Sequence, residues 1–338
     1  THGAFIPSQA PIKQSNLCME ITLPTKPLYS VQDKEGEVAL CTLSAVNLGA
    51  IDSLDELEDI TDIIVRSLDS LLDYQDYPLK SAEITSSNRR TLGIGVTNLA
   101  YYLAKNDAKY SDGSGNDLIH RTFEALQYFS LKASNEIAQE FGPCPLFSET
   151  QYAKGVMPID SYKKDIDQFC NTELELDWDS LRKNIQATGL RNSTLTALMP
   201  CESSSQISNS TNGIEPPRGF ISVKQSKDGI LKQVVPEYEK LHKKYELLWD
   251  IKDNEGYLQL CAIMQKFVDQ SISTNTHYDP SQYDGNRVPM KLFLMDLLKA
   301  YKYGIKTLYY HTTRDGASDG QNTTAKGDDD CEDGVCKL

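Results

Sequence analysis

Short apolar runs alternate with longer amphipathic stretches along this chain, a pattern that predicts strands separated by helices. Residues 37–46, 91–96, 193–199 and 305–311 are apolar enough for strands, and the first two are expected to be buried on both faces. Parallel strands need crossover connections, which are usually helical. This order therefore predicts an α/β domain with a largely parallel sheet.

Amphipathic spacing predicts the helices. One begins at a cap formed by Asp52 or Ser53, and its apolar residues recur every three or four positions. Further helices are predicted at residues 116–139, 178–186, 235–250, 256–272 and 289–303. Gly93 and Gly95 form only a GxG, without the third glycine of a dinucleotide-binding fingerprint, so they predict a closely packed strand.

The composition of the chain limits the classes of protein to which it can belong. The chain has 338 residues, of which 39% are hydrophobic and 24% charged, as in globular proteins. No apolar run is long enough to span a bilayer and no signal peptide is evident, so a cytoplasmic location is expected. The net charge of -14 argues against a general nucleic-acid binder, and any nucleotide partner should be a small molecule.

Cysteines and histidines are scattered. The eight cysteines are too sparse for a secreted disulfide scaffold, so paired ones are expected to be redox-active. The five histidines contain no helical i, i+4 pair, so neither a zinc site nor a histidine-based triad is expected.

One short stretch concentrates chemistry near the start of the chain. Asn16, Cys18 and Glu20 occupy alternate positions, and in an extended segment their side chains share one face. That face offers an amide, a sulfur nucleophile or redox centre, and a general base. The alternative is a loop with a buried cysteine.

The last 27 residues, 312–338, lack apolar periodicity, which predicts a flexible tail. The tail carries Cys331 and Cys336, with four residues between them. A thiol pair on a tether suits delivery of reducing equivalents from an external dithiol protein to a buried site. An incidental pair is the alternative.

Two further features point to function. A helix starting after Pro200 would present free backbone N–H groups and serine hydroxyls, which suits a phosphate, and Arg218 could add a charged contact. The alternative there is a simple helix cap. Tyr309 and Tyr310 are adjacent on the last predicted strand. One is expected to face the core and the other a helix, and the alternative is that both act as redox-active phenols.

Together these motifs resemble the C-terminal part of the large subunit of class I ribonucleotide reductases, over the whole chain. The resemblance is carried by Asn16-Leu17-Cys18-Met19-Glu20, residues 39–44, Pro200 with residues 202–205, residues 212–218, residues 307–310, and Cys331 with Cys336.

The resemblance implies a radical mechanism. A radical made in a separate small subunit would pass through Tyr310 and then Tyr309 to Cys18, giving a thiyl radical. That radical would abstract the ribose 3′ hydrogen while Glu20 takes the 3′ hydroxyl proton and Asn16 holds the sugar hydroxyls.

The resemblance also assigns the reductants and the substrate contacts. Cys41 would be one of two thiols that reduce the 2′ carbon, and Cys331 with Cys336 would re-reduce that pair, recharged by thioredoxin or glutaredoxin. The cofactor implied is the tyrosyl radical of a di-iron or other di-metal small subunit, with no metal in this chain. A ribonucleoside diphosphate would contact Leu17, Pro200, Cys201, Glu202, Ser203, Ser204 and Arg218. Cys201 departs from the family pattern, which has serine there.

The family fold is a ten-stranded α/β barrel with the radical cysteine on a central finger loop. Residues 1–311 would be its second half with C-terminal helices, and 312–338 the redox-active tail. The first half, the second reducing cysteine and the effector sites would belong to a separate N-terminal polypeptide. A naturally split subunit is expected, since Thr1 fits removal of a start methionine, and an artificially shortened chain is the alternative.

Two other functions remain open from the sequence. A stand-alone thiol oxidoreductase would be built around Cys331 and Cys336 alone. A non-catalytic binding half would display the site without using Cys18.

Overall fold

The computed structural model describes residues 3–226 and 229–314, and the backbone of residues 331–332 and 335–336. The helices within these residues are α1 (Glu56–Tyr74), α2 (Lys80–Arg89), α3 (Leu99–Lys105), α4 (Asn116–Phe141), α5 (Trp178–Thr188), α6 (Glu202–Ile207), α7 (Tyr238–Leu241), α8 (Glu255–Phe267) and α9 (Met290–Tyr303). The strands are β1 (Leu43–Asn47), β2 (Gly93–Thr97), β3 (Ile221–Ser226), β4 (Gly229–Val234), β5 (Thr276–Tyr278), β6 (His311–Thr313), β7 (Cys331–Glu332) and β8 (Val335–Cys336).

Extended segments lie side by side in chain order and run in the same direction. β1 pairs with β2 in parallel along its whole length. Single parallel bridges then join Ile94 of β2 to Thr196, and Leu198 to Ile272. Beyond Ile272 the chain enters β5, which pairs in parallel with β6. Helices connect these segments, so the predicted alternation of helices with parallel strands is confirmed.

The ladders are shorter than the predicted strands. β1 covers only the end of the predicted 37–46 segment, and only its Val46 is fully buried. Every residue of β2 is buried, whereas Leu43 of β1 is exposed and Ser44, Ala45 and Asn47 are only partly buried. Burial on both faces is therefore confirmed for β2 and wrong for β1.

The glycines of β2 allow neighbouring segments to approach closely. A Cβ atom on Gly95 would lie 2.7 Å from Met199 Sδ and 2.8 Å from the Ala197 carbonyl oxygen. Any side chain at Gly95 would therefore force residues 197–199 away from β2. The predicted packing role of this GxG is confirmed.

Helix α4 is the longest helix and crosses the core. It packs against α1, α5 and α8, and buries Ile119, Phe123 and Leu126 along its inner side. The predicted helix at 116–139 is thus confirmed, with two further residues at its C-terminal end. Each fully buried Leu or Phe contributes about 1.5–3 kcal/mol of transfer free energy, so this helix is a main source of stability.

Residues 221–250 differ from the prediction. β3 and β4 form an antiparallel hairpin that the periodicity did not indicate. The helix predicted at 235–250 is wrong: α7 is a single turn, followed by a 3-10 turn at Leu248–Asp250. Glu237 has φ +48°, so helical backbone begins only at Tyr238. The helix ends at Leu241, and Leu247 has extended backbone just before the 3-10 turn. The helix predicted at 256–272 ends at Phe267, because Val268 adopts extended backbone.

The folded part extends slightly past the predicted start of the tail. β6 ends at Thr313, and the Arg314 N–H donates to the Tyr278 carbonyl at 2.9 Å. Residues 315–330 lie outside the described residues, and so does the prediction of a flexible tail there. The backbones of β7 and β8 pair in antiparallel fashion, with Cys331 opposite Cys336. Among the described residues no helix is long and apolar enough to cross a membrane.

Candidate active site

The stretch around Cys18 is a tight turn rather than the predicted extended segment. Met19 N donates to Asn16 O at 3.2 Å, and Asn16 N donates to Ile21 O at 3.3 Å. Met19 has φ +70°, in the left-handed region that is unfavourable for residues other than glycine. The extended backbone predicted for the three side chains is therefore wrong, but the chain reversal still brings Asn16 opposite Glu20.

Asn16 and Glu20 form the floor of the turn. Asn16 Nδ2 donates to Glu20 Oε1 at 2.8 Å, and Asn16 Oδ1 accepts from Ile21 N at 3.0 Å. These two bonds fix which way the Asn16 amide faces. Glu20 is only 1% exposed, so its carboxyl group is held inside the protein.

Ser273, on the segment leading into β5, anchors the turn from the other side. Its Oγ lies 2.5 Å from the Cys18 carbonyl oxygen and 3.1 Å from Glu20 Oε2. A serine hydroxyl carries one hydrogen. When that hydrogen goes to Glu20 Oε2, the bond favours the ionised carboxylate and so lowers the pKa of Glu20.

The Glu20 carboxyl is suited to take up a proton. Burial raises its pKa, and hydrogen bonds from its own backbone N–H, Asn16 and Ser273 oppose that rise. A carboxylate with a raised pKa accepts a proton more readily than an exposed one.

Cys18, Tyr309 and Tyr310 form a continuous series of polar contacts. The Tyr309 hydroxyl is in polar contact with both the Cys18 thiol and the Tyr310 hydroxyl. The two tyrosine rings stack with centroids 3.8 Å apart and planes 32° apart. The alternative in which one ring faces the core and the other a helix is therefore wrong.

Both Cys18 and Tyr309 are kept neutral. Burial raises the pKa of the Cys18 thiol, and the nearby Glu20 raises it further. Burial also raises the pKa of Tyr309, and its bonds to Tyr310 and Cys18 add to the rise. A neutral thiol beside a neutral phenol can exchange a hydrogen atom without separating charge in a poorly solvated site.

Cys41 faces the same turn from the residues just before β1. Its thiol interacts electrostatically with Glu20 and Cys18 and is hydrogen-bonded with the Asn16 side chain. Burial of the sulfur and these two acidic neighbours raise the pKa of Cys41 to about 11. The structure thus brings Cys18, Glu20, Asn16 and Cys41 together, with Tyr309 in contact with Cys18.

The serine-rich segment does begin a helix, as the sequence predicts. Helix α6 is short, Ser203 and Ser204 are exposed, and the first N–H that bonds back to the loop is Ser205 N, to Cys201 O at 2.9 Å. Backbone N–H groups in a first turn have no partner within the helix and are open to a ligand. Arg218 is exposed, and its positive charge acts on the partly buried Glu215.

Cys201 does not share the exposure of the serines that follow it. Its thiol is 3% exposed and donates to the Val96 carbonyl at 3.5 Å. Burial raises the pKa of Cys201 to about 12. Its thiol therefore packs against β2, and this residue offers no exposed polar group beside Ser203 and Ser204.

Sequence reasoning missed the polar residues of the segment before β5. Ser271, Ser273 and Asn275 are all at most 8% exposed, although they alternate with Ile272 and Thr274 in a buried extended segment. A nearly continuous run of polar residues, 269–275, interrupted only by Ile272 and following the apolar end of α8, was the available signal. In the described part of the chain, no cluster of three or more His, Cys, Asp or Glu side chains could hold a metal ion.

Comparison with known proteins identifies the class. The sequence model of the family described as ribonucleotide reductase, barrel domain, matches residues 3–311. The chain belongs to the ribonucleotide reductase family.

Individual relatives agree with that assignment. The chain is 65% identical over 338 residues to the ribonucleoside-diphosphate reductase subunit alpha of Haemophilus influenzae, covering 100% of this chain and 44% of that protein. It is 63% identical over 340 residues to the ribonucleoside-diphosphate reductase 1 subunit alpha of Escherichia coli, covering 100% of this chain and 45% of that protein. The corresponding subunit of phage T4 is 49% identical over 340 residues, covering 99% of this chain and 44% of that protein. The chain thus spans less than half the length of these relatives, and corresponds to their C-terminal part.

Proposed function

We propose that this chain supplies the radical cysteine, its base and its radical relay to a ribonucleoside-diphosphate reductase. One observation carries the proposal: Tyr310, Tyr309 and Cys18 are linked hydroxyl to hydroxyl to thiol, and Glu20 lies beside that thiol. The groups thus follow one another as phenol, phenol, thiol and carboxylate. This is the order that hydrogen-atom transfer to the thiol, followed by base-assisted radical chemistry, requires.

The relay runs in two steps. An oxidised Tyr310 takes a hydrogen atom from the Tyr309 hydroxyl, and the resulting Tyr309 phenoxyl takes one from the Cys18 thiol. Each step restores one O–H bond and breaks another O–H or S–H bond, so charge does not build up between the stacked rings. The product is a thiyl radical at Cys18 beside a carboxyl group with a raised pKa.

The reduction step uses the residues around that radical. Cys18 takes the 3′ hydrogen of the ribose, and ionised Glu20 takes the proton of the 3′ hydroxyl, which aids departure of the 2′ hydroxyl as water. Two thiols supply two electrons and two protons, one proton to the departing 2′ hydroxyl and one to the 2′ carbon, and become a disulfide. Cys41 is one of these thiols, and the second comes from residues outside this chain. Cys18 returns the 3′ hydrogen and Glu20 returns its proton, so both residues are regenerated.

Other partners belong to the same proposal. A ribonucleoside diphosphate binds with its phosphates at the start of α6, where Glu202, Ser203 and Ser204 are exposed, and at Arg218. The N-terminal half of a large subunit completes the ten-stranded barrel around the turn of Cys18. A small subunit with a di-metal-generated tyrosyl radical oxidises Tyr310, which is 51% exposed.

Re-reduction completes the cycle. Cys331 and Cys336 reduce the disulfide formed at Cys41, and thioredoxin or glutaredoxin reduces Cys331 and Cys336. This thiol cycle requires a compartment that keeps cysteines reduced, which is consistent with a cytoplasmic location.

Reconstitution tests the proposal. The chain is combined with the N-terminal half of a related large subunit, a radical-loaded small subunit, a dithiol reductant and a ribonucleoside diphosphate, and deoxynucleotide is measured by chromatography. We expect turnover with the native chain and none with Cys18→Ala. Wild-type-like turnover with Cys18→Ala would show a non-catalytic half, and an inactive but correctly assembled native complex would refute the proposal.

A further inference from the structure

Asn275 holds the backbone of Tyr310. Tyr310 N donates to Asn275 Oδ1 at 2.8 Å, and the neighbouring Thr276 N donates to the Tyr310 carbonyl at 3.0 Å. The Asn275 side chain is 8% exposed, so water does not compete for its oxygen. Both backbone polar groups of Tyr310 are therefore fixed by consecutive residues of one segment.

The other end of the Asn275 amide is fixed by a carboxylate. Asn275 Nδ2 donates to Glu215 Oε1, and His277 Nε2 lies 3.8 Å from the same oxygen. A flipped amide would present its NH₂ group to the Tyr310 N–H, so the two partners define one orientation. Burial lowers the pKa of His277 to about 3, so the imidazole is neutral and does not displace Asn275 by forming an ion pair.

Glu215 is tied in turn to the start of α6. Glu215 N donates to the Asn212 carbonyl at 3.2 Å, and Asn212 Nδ2 donates to Glu202 Oε1 at 2.8 Å. Glu202 is the first residue of α6. An unbroken series of hydrogen bonds and one turn of backbone thus leads from this helix end to the Tyr310 N–H.

We infer that Glu215 and Asn275 are positioning residues that hold Tyr310 in its stacked arrangement on Tyr309 and link that arrangement to the start of α6. This inference rests on the proposed function, because it takes Tyr310 as a radical carrier and the start of α6 as the diphosphate site. Neither residue touches the reacting atoms. Their effect comes through the backbone of Tyr310, where a shift of about 1 Å is enough to slow a positioned reaction by about 10²-fold.

Reversing the polarity of one hydrogen bond tests the inference. Asn275→Asp keeps an acceptor for Tyr310 N but sets a second carboxylate against Glu215. Adding Glu215→Gln restores a donor and acceptor pair with the direction reversed, since the amide of the introduced glutamine can donate to the carboxylate of the introduced aspartate. The matched control is Glu124→Gln. It changes a buried carboxylate whose pKa is also raised and which accepts from Trp178 Nε1, outside this network.

Each variant is assayed in the reconstituted complex for kcat and KM, and for radical trapped by 3-aminotyrosine placed at position 310. We expect Asn275→Asp to lower kcat and trapped radical by about tenfold or more without changing KM. The double variant should recover most of both, and Glu124→Gln should behave as the native chain. Thermal unfolding of each variant separates lost positioning from lost folding.

Three results would overturn the inference: native kcat and radical yield in Asn275→Asp, failure of the double variant to recover although it folds, or a change confined to KM. A native complex that forms no deoxynucleotide would instead refute the proposed function. The native control therefore distinguishes the two failures.

Discussion

The rings of Tyr309 and Tyr310 stack with a tilt of 32° between their planes and with centroids 3.8 Å apart. Adjacent residues in a regular strand point to opposite faces, so this stack requires the irregular backbone that precedes β6. That backbone is held by Tyr309 N donating to the Thr274 carbonyl at 2.8 Å and by the Asn275 bond to Tyr310 N. The segment before β5 therefore determines where both phenols lie.

Removing one hydroxyl should break the relay without disturbing the stack. Tyr309→Phe keeps the ring but loses the O–H that contacts both Cys18 and Tyr310. We expect deoxynucleotide formation to fall at least about 100-fold, equal to about 2.7 kcal/mol in barrier, while substrate affinity is retained. Turnover assays and equilibrium binding of a ribonucleoside diphosphate measure the two quantities.

Tyr74→Phe is the control for that prediction, because Tyr74 is 89% exposed. Tyr310→Phe should match Tyr309→Phe. A thiol-exchange enzyme built on Cys331 and Cys336 would not respond to either relay substitution, so native turnover in both would favour that alternative.

The pH dependence of kcat should reflect the ionisation of Glu20. Glu20 must be ionised to take the substrate proton, so kcat should rise with pH through a pKa above the usual carboxyl range. Ser273→Ala removes a hydrogen bond that lowers this pKa. We therefore expect the acidic limb of the kcat profile to move to higher pH in Ser273→Ala, and Glu20→Gln to lose the limb together with most activity.

A matched serine change checks that assignment. Ser208→Ala removes an exposed hydroxyl that bonds to the Ser204 carbonyl at 2.8 Å, without contact to Glu20. Its acidic limb should coincide with that of the native complex. An acidic limb that moves to lower pH in Ser273→Ala would contradict the role given to Ser273.

Cys41 should react slowly with alkylating reagents, although the residue as a whole is exposed and only its sulfur is poorly solvated. Its pKa of about 11 leaves far less thiolate at pH 8 than a free cysteine has. Labelling of the chain with iodoacetamide, followed residue by residue with mass spectrometry, should show a Cys41 rate that keeps rising above about pH 9. Asn16→Ala removes the hydrogen bond that lowers this pKa, so it should slow labelling further. Faster labelling in Asn16→Ala would contradict the contact between the two side chains.

The sequence predicted the main helices and the order of the strands because these depend on local periodicity, as α4 and β2 show. It also predicted that the side chains of Asn16, Cys18 and Glu20 lie together, but the extended backbone predicted for them was wrong. Nothing in the local sequence indicated that Met19 adopts φ +70°. The roles of Ser273 and Asn275 could not be predicted. Their partners lie far away along the chain, and only the folded arrangement brings them into contact.

Asp69 should be a centre of stability in the framework behind the site. Its carboxylate accepts from Arg90 Nε at 2.6 Å, Arg191 Nε at 3.1 Å and Asn192 Nδ2 at 3.0 Å. Arg90 precedes β2, and the other two donors precede the extended residues 194–198, which bridge to β2 through Thr196. Asp69 therefore fixes the start of both segments against α1.

Asp69→Ala would leave the Arg90 guanidinium, 4% exposed, with Asp73 as its remaining carboxylate partner. Removing one member of a buried ion pair typically costs about 3–5 kcal/mol, and we expect a loss of free energy of unfolding near the lower end of that range. Asp62→Ala breaks a surface pair with Arg66 and should cost only about 0–1 kcal/mol. Urea unfolding of both variants at about pH 7 measures the difference, and equal losses would show that the Asp69 cluster does not fix the strand starts.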